Sequence, residues 1–229
     1  MVLGRSARIL FDDPGEVVRC NPKTLGIKTY LVLRAVMAGE QFHKLQYQKI
    51  RKLKKMIKFV YQNSPRGTGD AVLRCKRLIK SKHFLMLLPD DLILKSNCSS
   101  AMLKLHQRYN SSVIASKKVK AHEVSRWGIL KLKKFVKNNF LIKDVVEKPK
   151  TNLAPSNYAV IGRYILPTKI FNILKKQKPG QNGEIHITDA IRKLVHKKEK
   201  FIGHVFSGKY MDCGTMKGYI NSFTEISKI

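Results

Sequence analysis

Three places in this 229-residue sequence combine residue types that can do chemistry. In Val146-Glu147-Lys148-Pro149 a carboxylate and an ammonium stand side by side ahead of a proline. With the turn, apolar strand, capped helix and Gly-rich loop that residues 155–189 then spell out, this is the layout of a phosphosugar site. A lysine on its own is most often a surface residue, so the motif singles out Lys148, not its residue type. The second place is Asp90-Asp91, directly after the apolar run HFLMLL at 83–88. Carboxylates at the C-terminal end of a buried strand sit where open α/β sheets bind ligands, and their hard oxygens suit Mg²⁺ with its phosphates. A helix cap or an exposed turn acid is the alternative. The third is QNSPRGTGDA at 62–71, where two glycines around a threonine let backbone N–H groups approach an anionic or hydrogen-bonding ligand at a helix N-terminus. The same residues also make an ordinary strand-to-helix turn.

Positioning these residues takes alternating strands and helices. Residues 57–61 read as a short strand and the helix after the loop turns Val72, Leu73, Cys75 and Ile79 to a core. Residues 83–88 are apolar throughout, as in a central parallel strand covered on both faces. A helix over 99–109, capped by Ser99 or Ser100, carries Met102, Leu105 and Tyr109 at helical spacing. Strands follow at 112–115, after 123–129, and at 159–166. Thr168 is expected to cap a helix bearing Ile170, Phe171 and Leu174, and Thr188 another bearing Ile191, Leu194 and Val195. A last helix from Thr215 is expected to bury Met216, Tyr219, Phe223 and Ile226. Gly180, Gly183 and Glu184 read as plain loop ahead of a sugar-side or subunit-contact role. The pattern predicts a three-layer α/β fold, Rossmann-like, with a mostly parallel central sheet flanked by helices. Residues 1–50 form an atypical basic segment, with a candidate strand at 28–33 and a basic helix over 43–58, and residues 51–229 form the domain.

Composition narrows the partners. Hydrophobic residues at 43% fit a globular chain able to bury one sizeable core, while the net charge of +31 attracts phosphorylated ligands or polyanions. A non-catalytic basic protein binding nucleic acid or other polyanions is therefore the alternative function; lysines spread along a solvated surface explain the charge equally well. Cys20, Cys75, Cys98 and Cys213 lie far apart without a CxxC pair, which points to a reducing cytoplasm and against a zinc or disulfide framework. The apolar run at 30–38 is short and broken by Arg34, so neither a membrane span nor a signal peptide is expected. The seven histidines show no ligand spacing.

Seven motifs in order resemble the bacterial UTP:glucose-1-phosphate uridylyltransferases of the sugar nucleotidyltransferase superfamily. They are QNSPRGTGDA at 62–71, LLPDDLIL at 87–94, EVSRWGI at 123–129, VEKP at 146–149, APSNYAVIGRYIL at 154–166, KPGQNGEIHITDA at 178–190 and GKYMDCGTMKGYI at 208–220. The resemblance implies a nucleotide-diphospho-sugar transferase fold, UTP and glucose 1-phosphate as substrates, UDP-glucose as product and Mg²⁺ as cofactor, and it is compatible with a homo-oligomer. Residue by residue it places Gln62 and Gly67 on the uracil and Gly128 and Glu147 on the sugar. Lys148 falls on the sugar phosphate as the catalytic cation, and Asp90 and Asp212 on the metal.

Two departures accompany it. The family's N-terminal GxGTR loop, which grips the triphosphate, has no counterpart here; Gly4-Arg5-Ser6-Ala7-Arg8 is basic but lacks the pattern. In the superfamily the strand before that loop is central, and 28–33 is the candidate to replace it. A truncated or frameshifted start, with weak or absent activity, is the corresponding expectation. Asp70 stands where the uridylyltransferases usually carry histidine.

Overall fold

A computed structural model describes residues 8–10, 17–20, 51 and 56–227. Nine strands form one sheet: β1 (Arg8–Leu10), β2 (Val17–Cys20), β3 (Ile57–Val60), β4 (His83–Leu87), β6 (Ser112–Lys118), β7 (Gly128–Val136), β8 (Asn139–Glu147), β9 (Tyr158–Pro167) and β10 (Phe201–Val205). Their spatial order is β3-β2-β1-β4-β9-β6-β10-β8-β7. β5 (Asp91–Leu94) and β11 (Lys209–Asp212) make a separate antiparallel ribbon. The α-helices lying wholly within the described residues are α1 (Thr68–Arg74), α2 (Cys98–Tyr109), α3 (Ile170–Lys176), α4 (Ile187–His196) and α5 (Met216–Ile226).

The three layers follow from the alternation of side chains along the central strands. On one face Phe84 and Met86 of β4, Ile114 of β6 and Tyr164 and Leu166 of β9 join Val72 of α1, Phe171 of α3 and Ile191 of α4 in the larger core. On the other face Leu85, Val113, Ala115, Ile161 and Ile165 pack with Cys98 and Met102 of α2. Burial on both faces is why these strands read as continuous apolar runs. Each fully buried Leu or Ile stabilises the fold by roughly 1.5–3 kcal/mol.

The α/β class stands, but the sheet is mixed where a mostly parallel one was expected. Only β10 with β6 and β2 with β3 pair in parallel among the described strands; β4 runs antiparallel to both β1 and β9. An apolar run reports that both faces are covered, not which way the neighbours run. The slot beside β4 opposite β9 is taken by β1, next to β2, so the strands at 8–10 and 17–20 fill the places between β4 and the edge strand β3. Both come from the 1–50 segment. The 28–33 strand and most of the 43–58 helix lie outside the described residues.

Three caps differ from expectation. Asn97, not a serine, caps α2 by accepting from the Ser100 N–H at 3.0 Å. Thr168 donates to the Lys82 carbonyl, and Lys169 takes the cap position of α3. His186 takes the cap position of α4 without a side-chain bond, so Thr188 lies inside the helix. Thr215 does cap α5, accepting from Gly218 N–H at 3.1 Å. That helix does not bury its apolar side, however: Met216 and Phe223 are 70% and 68% exposed and Tyr219 and Ile226 are also exposed. Tyr109 likewise projects outward from the end of α2. Among the described residues no helix is long and apolar enough to cross a membrane.

Candidate active site

The residues expected at the sugar lie on the β7–β8 hairpin. Gly128 opens β7 and Glu147 ends β8, and the register places them directly opposite one another. Lys148 follows in the left-handed region at φ 42, its N–H donating to the Trp127 carbonyl at 3.0 Å. A non-glycine residue there costs about 1–3 kcal/mol and persists only where its surroundings fix it. Across from the hairpin, the Thr188 hydroxyl donates to Glu147 Oε2 at 2.7 Å. A Cβ at Gly128 would stand 3.1 Å from both Glu147 Oε2 and Thr188 Cγ2, so these three residues enclose one small space.

The two aspartates of the 89–91 turn have separate jobs. Asp91 is buried and structural: its Oδ2 accepts from Gly162 N–H at 2.7 Å and its Oδ1 from the Tyr210 hydroxyl. Burial, then the Asp91 charge beside it, pushes the Tyr210 phenol well above its ordinary range, so it remains a donor. Asp90 faces Asp212 instead. A Cβ at Gly214 would lie 2.9 Å from Asp90 Oδ2 and 3.1 Å from Asp212 Oδ1. The turn is fastened to the β11 end by Cys213 N–H donating to the Asp90 carbonyl at 2.7 Å. Two carboxylates converging on the space above Gly214 match the one or two that Mg²⁺ takes from a protein, with water and phosphate completing its shell.

The 62–70 loop runs from β3 into α1. Gly67 caps α1 at φ 97, and a Cβ there would meet the Ile185 carbonyl at 2.7 Å, so both conformation and space require glycine. Gly69 N–H donates to that carbonyl at 2.7 Å, and Ile185 N–H donates to the Arg66 carbonyl at 2.8 Å. The Gln62 side-chain amide donates to the Gly67 carbonyl at 3.2 Å and to Asp70 Oδ2 at 2.7 Å.

Two connections join these parts. Residues 185–188 hold the loop at Gly69 and Arg66 and, three residues on, hold Glu147 through Thr188. Arg126, just before Gly128, places Nη2 3.5 Å from Asp212 Oδ2 and so links the β7–β8 hairpin to the Asp90–Asp212 pair. Sequence reasoning missed Thr188, Arg126 and the Asp70 contact; it assigned Thr188 to a cap and 180–184 to plain loop. A cleft of about 660 Å³ lies at the other end of α4, lined by Lys175, Lys176, Lys193 and Lys197. Lysines there complement the carbonyl ends of α3 and α4. The buried Cys75 thiol donates to the Ala71 carbonyl at 3.4 Å, and burial raises the Cys98 thiol to about 11.

The profile of the nucleotidyl transferase family matches residues 25–229. A UTP–glucose-1-phosphate uridylyltransferase of Pseudomonas aeruginosa is 36% identical over 178 residues, covering 76% of this chain and 63% of the relative. A putative protein of that name from Methanocaldococcus jannaschii is 35% identical over 170 residues, covering 74% and 59%. A solved UDP-glucose pyrophosphorylase complexed with UDP-glucose shares 36% identity at a TM-score of 0.73, covering 86% of this chain and 76% of that one. The chain thus spans less than two thirds of the length of the curated relatives it matches.

Proposed function

This chain belongs to the nucleotidyl transferase family, and from that premise we propose that it transfers a uridylyl group from UTP to glucose 1-phosphate. The products are UDP-glucose and pyrophosphate. The observation that carries the proposal is the pairing of Gly128 with Glu147 across β7 and β8, with Lys148 held next to them in left-handed backbone. The names of the relatives, and the UDP-glucose in the solved one, support the choice of nucleotide and sugar.

In this reaction a phosphate oxygen of glucose 1-phosphate forms a bond to the α-phosphorus of UTP. The bond from that phosphorus to the bridging oxygen breaks, and pyrophosphate leaves with the electron pair. No protein nucleophile is needed, so the residues position substrates and balance charge. Glu147 accepts from glucose hydroxyls while Lys148 pairs with the sugar phosphate, and Gly128 lets the sugar approach the backbone. Gln62 and Gly67 hold the uracil. Asp90 and Asp212 would hold Mg²⁺, which when bound neutralises charge on the phosphates. We place the enzyme in the cytoplasm, with no membrane partner, and include assembly as a homo-oligomer in the proposal. Net charge alone supports the polyanion-binding alternative.

The test is pyrophosphate release from UTP and glucose 1-phosphate with and without Mg²⁺. The proposal expects release that requires both substrates and the metal. No release, together with no binding of UDP-glucose, overturns it.

A further inference from the structure

Gln62 carries two amide protons and one carbonyl oxygen, and both protons are already committed. One goes to the Gly67 carbonyl at 3.2 Å and the other to Asp70 Oδ2 at 2.7 Å. Both partners are acceptors, so the chemistry fixes which end of the amide is nitrogen. Turning the amide over would set its oxygen against a carboxylate. Asp70 is itself held in place: it is 6% exposed, lies in the first turn of α1, and its Oδ2 also accepts from Arg74 Nε at 3.0 Å. What Gln62 has left to offer a ligand is therefore Oε1, an acceptor.

A base read by that oxygen must present a donor. Uracil has N3–H on its pairing edge; cytosine has at the same position a nitrogen with a lone pair, which would meet Oε1 acceptor to acceptor. We propose that Asp70 is a specificity-determining residue: by locking the Gln62 amide it makes the site select pyrimidines bearing N3–H over cytosine. This rests on the reading of Gln62 as the uracil-side residue. Thymine shares N3–H, so Asp70 does not decide between uracil and thymine. The lock requires an aspartate at 70, the position at which the sequence departs from the uridylyltransferase pattern.

The test is calorimetric binding of UDP and CDP to the whole chain and to Asp70→Ala, Asp70→Asn and Gln62→Ala. The parent is expected to prefer UDP by about ten-fold or more, the cost of setting the half-buried Gln62 oxygen against a lone pair. In Asp70→Ala only the longer bond to the Gly67 carbonyl still opposes turning, and in Asp70→Asn the new amide can present either end to Gln62, so the preference should shrink to within about three-fold, chiefly because CDP binds more tightly. A merely structural role would weaken both nucleotides alike and would not tighten CDP. Gln62→Ala should lose the preference without gaining CDP affinity. An unchanged UDP to CDP ratio in both Asp70 variants, or equal weakening of both ligands, overturns the inference and leaves the proposed reaction standing. A parent that binds neither nucleotide and releases no pyrophosphate overturns both.

Discussion

Thr188 donates its hydroxyl to Glu147 Oε2 at 2.7 Å across 41 residues of sequence. The bond sits at one end of a polar stripe on α4, where Arg192 and His196 follow at helical spacing and both reach Asp144 Oδ1 at 3.0 Å. All three contacts go to β8, so the helix is held even without the hydroxyl, which fixes one oxygen of Glu147; in the proposed reaction the other oxygen accepts from a sugar hydroxyl. Thr188→Val removes the donor at nearly constant volume. It is expected to raise the KM for glucose 1-phosphate about ten-fold and leave the KM for UTP unchanged, while Thr188→Ser stays near the parent. Equal changes in both KM values, or none, contradict this assignment.

The bulge in β9 grips the turn that carries Asp90. Pairing with β6 slips between Ile114 and Ser116, and Gly162 and Arg163 lie in the slipped part of β9. Arg163 Nη1 donates to the Leu88 carbonyl at 2.9 Å and Nη2 to the Asp91 carbonyl, holding the turn on both sides of Asp90. Gly162 returns the contact by accepting from Leu88 N–H at 2.8 Å, and a Cβ on it would sit 2.5 Å from Leu88 Cβ. Arg163→Ala is expected to cost about 1–3 kcal/mol in urea unfolding, the penalty for carbonyls that lose a charged donor. A loss below about 0.5 kcal/mol, the range of ordinary surface substitutions, would show that the clamp is not structural.

Which parts were legible depended on whether their cause was local. The runs at 83–88 and 159–166 announced strands because burial on two faces leaves no polar positions. Strand direction was not legible, because it is set by which distant segment pairs alongside: β4 reads the same whether β9 runs with it or against it. Glu147 and Lys148 stood out as neighbours in a motif. Thr188 did not, since its partner lies on another element and its type suits a helix cap equally well. The apolar spacing of α5 was real, yet spacing says only that one side is apolar, and Met216 and Phe223 remain open to solvent. Asp70 is visible in the sequence as a departure from the family pattern, but its bond to Gln62 is not, because the fold of the intervening loop sets it.

Asp90 and Asp212 converge above Gly214, and each has a distinct backbone tether: Cys213 N–H to the Asp90 carbonyl, and Gly214 N–H to Asp212 Oδ1 at 2.9 Å. Removing either charge while keeping the shape should weaken a hard divalent cation far more than it disturbs the fold. Asp90→Asn and Asp212→Asn are each expected to weaken Mg²⁺ binding about ten-fold or more, read by titrating the ion with UTP present. If both variants bind Mg²⁺ as the parent does, the metal is held elsewhere.

His204 gives the fold a pH dependence of known sign. It lies half-buried in β10, its Nδ1 2.8 Å from Asn139 Oδ1 on β8, and burial lowers its pKa below the ordinary 6.5. The neutral ring is therefore favoured in the folded protein. Above the unfolded value both states are neutral and the full stability is present. As pH falls below about 6.5 the unfolded chain takes up a proton that the folded one refuses, so stability declines until the lowered folded pKa is reached. Urea midpoints measured from pH 7.5 down to 5.5 should fall for the parent, and the fall should be shallower in His204→Gln, whose amide keeps a donor for Asn139 but does not titrate. Identical slopes for the two proteins would remove His204 as the source.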